Sequence, residues 1–178
     1  AEFAQILKEA NVTYINAFAQ CNFGFAYYPT KIGVPYPSMK GDMFGSLLEE
    51  CHKVGIKVCA YINIGINNEQ ARIHTDWCQV DAEGRVVQGD YLPVGFKSMC
   101  YNTGYKDYLL ETINEILTYN VDGIFCDCMM LNRCYCSHCI EGMNNENMDI
   151  QNHDDALRFA YKVIMDISKD IRAIVPQD

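Results

Sequence analysis

The sequence predicts an α/β fold, namely a partial (β/α)8 TIM barrel that runs from helix one to helix four with about three to four parallel strands. Helical patterns alternate with short apolar strand-like runs, as in βαβ units. The chain also begins and ends in helical patterns and has three clear strands, too few to close a barrel. We therefore expect residues 1–178 to be the N-terminal part of a barrel domain, a fragment. The alternative is a complete, small open sheet, in which the apolar face of the opening helix would be left uncovered on one side.

The first half of the chain predicts two helices and two strands. A strand over residues 12–19 follows the opening helix. The second helix has Asp42 as its predicted N-cap and Gly55 as its stop, because carboxylates cap helix starts and glycine tolerates the backbone after a helix end. Residues 57–64, rich in valine and isoleucine, predict the second long strand. The apolar positions of the two helices are Phe3, Ile6, Leu7 and Ala10, then Phe44, Leu47, Leu48, Cys51 and Val54.

The second half predicts two further helices around one strand. Residues 102–104 open the third helix, and the strand covers residues 123–128. The last helix has Asp154 or Asp155 as its predicted N-cap and stops at Pro176, which cannot continue a helix. The apolar positions of the two helices are Leu109, Ile113, Ile116 and Leu117, then Leu157, Tyr161, Ile164, Ile167, Ile171 and Ile174.

Composition excludes several classes of function. A net charge of -9 disfavours a nucleic-acid partner, which would require a basic face. No window approaches the ~20 uninterrupted apolar residues of a membrane span. Ten cysteines are many, but several lie within apolar strand or helix patterns, where cysteine behaves as a small reduced hydrophobic residue. We therefore predict a reducing, cytoplasmic compartment, with neither a membrane nor a nucleic acid as partner.

The stretch from Val121 to Cys139 concentrates the groups capable of chemistry. Its first half is an apolar run that predicts a buried parallel strand ending in Asp127. Its second half places Cys134, Cys136 and Cys139 at C-x-C-x-x-C spacing in the following loop. In a barrel, residues at the carboxyl ends of strands face the active site, so Asp127 is a candidate catalytic group. The alternative is a carboxylate that only caps or orients a neighbour.

Four stretches of the chain resemble one family of enzymes. Residues 18–31, Phe-Ala-Gln-Cys-Asn-Phe-Gly-Phe-Ala-Tyr-Tyr-Pro-Thr-Lys, resemble the second-strand region of the family named hypothetical glycosyl hydrolase 6. That family is similar in turn to α-L-fucosidases around this stretch. The resemblance continues through residues 51–58, 99–105 and 121–139 and covers most of residues 1–143. It implies a barrel with sugar-binding loops and a catalytic carboxylate at the end of strand four, here Asp127.

Two departures limit what the resemblance implies. This family and the fucosidases usually have histidines after the second strand, where this chain has Cys21, Asn22 and Phe23. In fucosidases those histidines contact the substrate. Fucose specificity is therefore not implied. Glycoside hydrolysis also uses two carboxylates, and the second is expected on a later strand outside these residues. The role of Asp127 as nucleophile or acid/base stays open, and we expect the fragment to be inactive alone.

The cysteine-rich loop predicts a structural Zn²⁺ site. Tetrahedral zinc takes four nitrogen or sulfur ligands, and the loop supplies three thiolates. The segment around Cys100 resembles the one that supplies the fourth zinc-binding cysteine in family 42 β-galactosidases, whose other ligands share this spacing. His138 is a chemically acceptable substitute, although it lies between two ligands. Free thiols or a Cys134–Cys139 disulfide remain the alternatives. Cys126 and Cys128, which flank Asp127, are interpreted as packing residues.

Aromatic and amide side chains on the predicted loops are candidates for binding a sugar. The aromatic residues could stack on sugar rings and the amides could bind hydroxyl groups, although each type more often packs in a core or loop. The candidates are Tyr27, Tyr28, Trp77 and Tyr105, and Gln20, Asn22, Asn63 and Asn102.

The sequence thus predicts part of a glycoside hydrolase acting on a carbohydrate of unknown identity. Whether the full-length protein is a homo-oligomer stays open. Two other classes also remain: a sugar-binding barrel without catalysis, and a zinc-stabilised α/β interaction domain.

Overall fold

The structure is a computed structural model that describes residues 1–89 and 95–176. The α-helices within these ranges are α1 (Glu2–Glu9), α2 (Met43–Lys53), α3 (Asn68–Ile73), α4 (Tyr105–Leu117), α5 (Ser137–Asn145) and α6 (His153–Ile174). The strands are β1 (Tyr14–Gln20), β2 (Phe25–Ala26), β3 (Val34–Pro35), β4 (Lys57–Asn63), β5 (Gln88–Gly89), β6 (Phe96–Lys97) and β7 (Gly123–Asp127).

Five of the strands form one mainly parallel sheet in the order β3-β2-β1-β4-β7. The three long strands β1, β4 and β7 are parallel neighbours, joined by helices that pack on one face. The short strand β2 is antiparallel to β1 and lies in the long connection between β1 and α2. The predicted α/β class is confirmed, and the described residues contain no closed barrel.

Helices cover one face of the sheet, whereas the other face is partly exposed. Val58, Ala60 and Ile62 of β4 point to the face on which the helices pack, and all three are fully buried. The opposite face carries a row of three rings, because Phe18 pairs in register with Tyr61, and Tyr61 with Phe125. Phe18 is 52% exposed and Phe125 is 43% exposed. We call the face that bears Phe18, Tyr61 and Phe125 the open face.

The start and stop signals of α2 are confirmed. The Asp42 carboxylate accepts a hydrogen bond of 2.7 Å from the Gly45 N–H, as an N-cap does. Gly55, just after the helix, has φ of +80°, a conformation that glycine adopts without strain.

The predicted cap of α6 is wrong. The cap is Asn152, whose side-chain oxygen accepts from the N–H groups of Asp154 and Asp155 at 2.9 and 3.4 Å. The Asp155 carboxylate instead accepts from the Asp149 N–H and pairs with Arg158. Both aspartates thus lie in the first turn, where negative charge is favourable.

Several predicted core positions lie at the surface. Phe3 and Ile6 of α1 are exposed because the helix buries Ala4 and packs Leu7 instead. Leu157 and Tyr161 of α6 are exposed because Ala156, Phe159 and Ala160 form its buried stripe. Within the described residues, no helix is long and apolar enough to cross a membrane.

Candidate functional site

A carboxylate and a phenol meet at the carboxyl ends of β4 and β7. The Asp127 carboxylate is at the last position of β7, and it accepts a hydrogen bond from the Tyr61 hydroxyl of β4. The strands are parallel and Asn63 pairs with Asp127. Tyr61 lies two residues before Asn63, on the same face of the sheet as Asp127, so its hydroxyl reaches toward the strand ends and the carboxylate.

Two amides complete this polar group. The Asn22 side-chain oxygen accepts from Asn63 Nδ2 at 2.9 Å and lies 3.3 Å from the Tyr61 hydroxyl. The Asn63 side-chain oxygen accepts from the Ile66 N–H at 2.9 Å, and Asn63 is fully buried. The structure therefore brings two predicted residues, Asn22 and Asn63, close to Asp127, with Asn63 mainly holding the loops together.

The backbone after Asp127 is tightly held. The Asp127 carbonyl accepts from the Ile64 N–H at 3.0 Å, and Cys128 has φ of +60°, which is uncommon for a residue with a side chain. A Cβ built on Gly65 would lie 1.8 Å from the Cys128 carbonyl oxygen. Only glycine fits at residue 65, so the loop after β4 fixes the position of the strand end that carries Asp127.

The surroundings of Asp127 favour its charged form. The hydrogen bond from Tyr61 lowers the pKa of the Asp127 carboxyl below its usual value, and the hydrogen bond from the Cys128 N–H acts in the same direction. Partial burial opposes this shift without overcoming it. Burial, and then the bond to Asp127, raise the pKa of the Tyr61 hydroxyl, which keeps its proton.

Three of the predicted sugar-binding residues are instead buried in the core. Gln20 donates from Nε2 to the Tyr108 hydroxyl at 2.9 Å, on the helix side of the sheet. Tyr28 packs against Phe44 and Tyr119. Tyr105 packs against Tyr108 and is also fully buried. In this structure none of the three offers a surface to a sugar.

The other three predicted residues lie in different places. Tyr27 is half-buried and stacks on Tyr36, with ring centroids 5.6 Å apart, next to Phe18 of the open face. Trp77 stacks on His74 at 3.8 Å and lines a separate open cavity of about 410 Å³ between α3 and α4. Asn102 donates to the His138 carbonyl at 3.0 Å, which ties it to the cysteine loop. Of these, Tyr27 is connected to Asp127 through neighbouring rings.

Sequence reasoning missed Tyr61 as a functional residue. A signal was present, because the period of two along a strand places Tyr61 on the same face as Asn63, which was a candidate. What the sequence could not show was the register between β4 and β7, which brings the hydroxyl to Asp127.

Four cysteines form a second cluster. The Sγ atoms of Cys100, Cys134, Cys136 and Cys139 all lie within 4.8 Å of one another, and all four residues are buried. Cys100 Sγ is 3.5 Å from Cys139 Sγ and 3.8 Å from Cys136 Sγ. Tetrahedral zinc with Zn–S bonds of about 2.3 Å would place its sulfurs about 3.8 Å apart. The four side chains converge closely enough to hold a metal ion, and none of them is in a disulfide.

The cluster is the centre of a small core of its own. Met143 of α5 and Phe159 of α6 pack against the four cysteines. Hydrogen bonds with Cys100 lower the pKa of both the Cys134 and the Cys136 thiols below their usual value. The chemistry and spacing of the donors suit a soft or borderline cation.

Asp122 lies at the opposite end of β7 from Asp127. Its carboxylate accepts from the Val58 N–H at 2.8 Å and contacts His52 Nε2 at 2.8 Å. Burial opposes ionisation, but these two contacts outweigh it and hold the pKa of the Asp122 carboxyl below its usual value. The contacts join β4, β7 and α2, as expected of a structural residue.

Comparison with known proteins identifies enzymes that act on sugars. The family described as hypothetical glycosyl hydrolase 6 matches residues 1–128. Alpha-L-fucosidase isoenzyme 2 from Paenibacillus thiaminolyticus is similar in structure, with a TM-score of 0.89 and 30% identity over 97% of this chain. The match covers 26% of that protein, so the present chain spans about a quarter of its length. No curated protein sequence gives a match.

Two further solved structures share the fold at low identity. A hypothetical protein from Ruminiclostridium thermocellum has a TM-score of 0.72 and 12% identity, and the match covers 98% of this chain and 85% of that one. The GH36 alpha-galactosidase AgaA from Geobacillus stearothermophilus has a TM-score of 0.66 and 12% identity, covering 96% of this chain and 23% of that one. At this identity the likeness concerns the fold.

Proposed function

The chain belongs to the hypothetical glycosyl hydrolase 6 family, and we propose on this basis that residues 1–178 are the N-terminal part of a TIM-barrel catalytic domain that cleaves glycosidic bonds. The observation that carries the proposal is the Asp127 carboxylate at the carboxyl end of β7, held ionised by Tyr61. In barrel enzymes the active site lies at this end of the strands.

Asp127 is one carboxylate of the pair that glycoside hydrolysis requires. The transition state resembles an oxocarbenium ion, so a fixed negative charge beside the sugar ring stabilises it. The second carboxylate lies outside residues 1–178 in this proposal. For that reason we expect residues 1–178 to be inactive when isolated, and activity is to be measured on the full-length protein.

Asn22 and Tyr27 are the predicted sugar-binding residues best supported by the structure. The Asn22 amide lies in the polar group around Asp127, and Tyr27 is a partly accessible ring next to Phe18. The identity of the sugar stays open. The similar Paenibacillus protein is named for fucoside cleavage, but Cys21, Asn22 and Phe23 stand where fucosidases carry histidines.

Cys100, Cys134, Cys136 and Cys139 hold a structural Zn²⁺ in our proposal. Four thiolates close the coordination sphere of the metal, which would give folding energy and cross-link the segments that carry them. Reduced cysteines of this kind also support a cytoplasmic location.

A panel of aryl glycosides tests the proposed function. The full-length protein is incubated with α- and β-linked aryl glycosides of fucose, galactose, glucose and xylose, and release of the aryl alcohol is followed. We expect at least one glycoside to be cleaved. A folded full-length protein that binds sugars but cleaves none of a wide panel would indicate a sugar-binding barrel instead.

A further inference from the structure

The Tyr61 ring is held by the two neighbouring strands of the open face. Its centroid is 4.4 Å from that of Phe18 on β1 and 5.8 Å from that of Phe125 on β7, where the rings are stacked. With a ring on each side, the phenol has little freedom to turn away. The hydroxyl is thus held in place at the upper edge of the sheet, where Asp127 ends β7.

The groups that contact the Asp127 carboxylate are hydrogen-bond donors. They are the Tyr61 hydroxyl from β4 and the N–H and thiol of the adjacent Cys128. The Asn22 amide oxygen accepts from Asn63 Nδ2 and lies 3.3 Å from the Tyr61 hydroxyl. An ionised Asp127 accepts from all of these donors at once, whereas protonation would turn one of its oxygens into a donor and reduce its capacity to accept.

Taking these contacts together, we infer that Tyr61 is a positioning residue that presents the Asp127 carboxylate, ionised and correctly aimed, to the reacting sugar. The inference rests on the proposed function, because it takes Asp127 to be a catalytic carboxylate. It deepens that proposal by giving Asp127 the role of the charged partner, nucleophile or base, so that the group that protonates the leaving oxygen lies elsewhere.

Tyr61 makes the largest contribution to keeping Asp127 ionised. The titratable groups that act on Asp127 are Tyr61 of β4 and Cys128, which directly follows β7, while Asn22 after β1 is uncharged. Within residues 1–89 and 95–176, the groups that shift the pKa of Asp127 include no Lys, Arg or His side chain. Removing the Tyr61 hydroxyl therefore removes the largest stabilisation of the charged form.

Tyr61→Phe tests the inference, because phenylalanine keeps the ring between Phe18 and Phe125 and removes the hydroxyl. In the full-length protein we expect kcat to fall about 10- to 100-fold, the loss of one hydrogen bond to a charged group, with KM little changed. We also expect the acid limb of the pH–rate profile to move to higher pH, because Asp127 becomes easier to protonate. Tyr14→Phe is the matched control, since Tyr14 lies on the same face at the other end of β1 and bonds Asn16.

Titration of Asp127 by ¹³C NMR separates this inference from the proposed function. In carboxyl-labelled protein, with the Asp127 signal assigned by its loss in Asp127→Asn, Tyr61→Phe should titrate at higher pH than the wild type. Equal titration curves, or a fall in kcat with an unchanged pH profile, would overturn the inference even if the enzyme cleaves glycosides. A shifted titration in a protein that cleaves nothing would support the positioning by Tyr61 and count against the proposed function.

Discussion

At the residue scale, the aspartates at the two ends of β7 differ in what surrounds them. Asp127 lies beside a hydroxyl and a pair of amides at one end of the strand. Asp122 lies at the other end and joins the backbone of β4 to His52 of α2. A sequence pattern can locate both carboxylates at strand ends, but their partners come from β4 and α2, far away along the chain.

Asp122 should contribute to stability in a pH-dependent way. Because its pKa is lower in the folded state than in the unfolded state, its contribution is complete above the unfolded pKa and is lost as the pH falls through the folded pKa. Asp122→Asn should therefore lower the free energy of unfolding by about 1 kcal/mol near neutral pH and by less in acid.

Urea unfolding of the wild type and Asp122→Asn at several pH values checks this expectation. The difference in stability should shrink as the solution becomes acidic. A difference that stays constant with pH would mean that shape, and not charge, explains the effect of the substitution.

At the element scale, the long helices and strands could be predicted from the sequence, because each has a clear apolar period. The strand ending at Asp127 was expected over residues 123–128 and is found at Gly123–Asp127. Its predicted burial is wrong, because β7 lies at the edge of the sheet and is only partly buried. The helix α3 was missed because it has six residues, too few for a period to show. The helix α5 was missed because it begins within the cysteine-rich stretch that was interpreted as a loop. The cap of α6 was misplaced because three adjacent residues, Asn152, Asp154 and Asp155, are all common in the first turn.

The cysteine cluster connects elements that otherwise share few contacts. Cys100 precedes α4, Cys134 and Cys136 lie in the loop after β7, and Cys139 lies in α5. The spacing of the last three could be predicted from sequence. Their convergence on Cys100 depends on the folded chain, and the sequence could point to it only through resemblance.

We expect the purified, reduced chain to contain about one zinc per molecule, bound through the thiolates. Cys136→Ser should remove the metal and lower Tm, because α5 and the first half of α6 pack around the site. Elemental analysis and thermal melts measure both effects. Cys21→Ser is the control, since Cys21 is outside the cluster and its loss should leave the metal in place.

A freshly purified protein with no zinc, and no uptake on titration, would contradict this prediction. The four cysteines would then be ordinary buried thiols that happen to be close together.

At the scale of the whole molecule, the sheet is covered by helices on one face and bears exposed rings on the other. Phe18 and Phe125 together with Tyr14 give the open face a considerable apolar area. Such surfaces usually pack against something. In the domain that we propose, the remaining barrel strands would close over this face.

We therefore expect the isolated chain of residues 1–178 to be marginally stable or to associate, because its apolar open face and sheet edges are exposed. Size-exclusion chromatography with light scattering, combined with thermal melts, measures this. Phe18→Ser should reduce association, whereas a substitution at exposed Tyr161 on α6 should not.

A stable monomer that melts cooperatively would mean that residues 1–178 form a complete unit.

The measurement that tests the central claim most directly is the turnover of Asp127→Asn in the full-length enzyme on a glycoside that the wild type cleaves. Asparagine keeps the shape of the side chain and removes its charge, so we expect kcat to fall by at least ~100-fold, on the order of 3 kcal/mol of transition-state stabilisation, with little change in Tm. Asp122→Asn, assayed in parallel, should lower stability more than rate. If Asp127→Asn turns over at close to the wild-type rate, Asp127 is not the catalytic carboxylate.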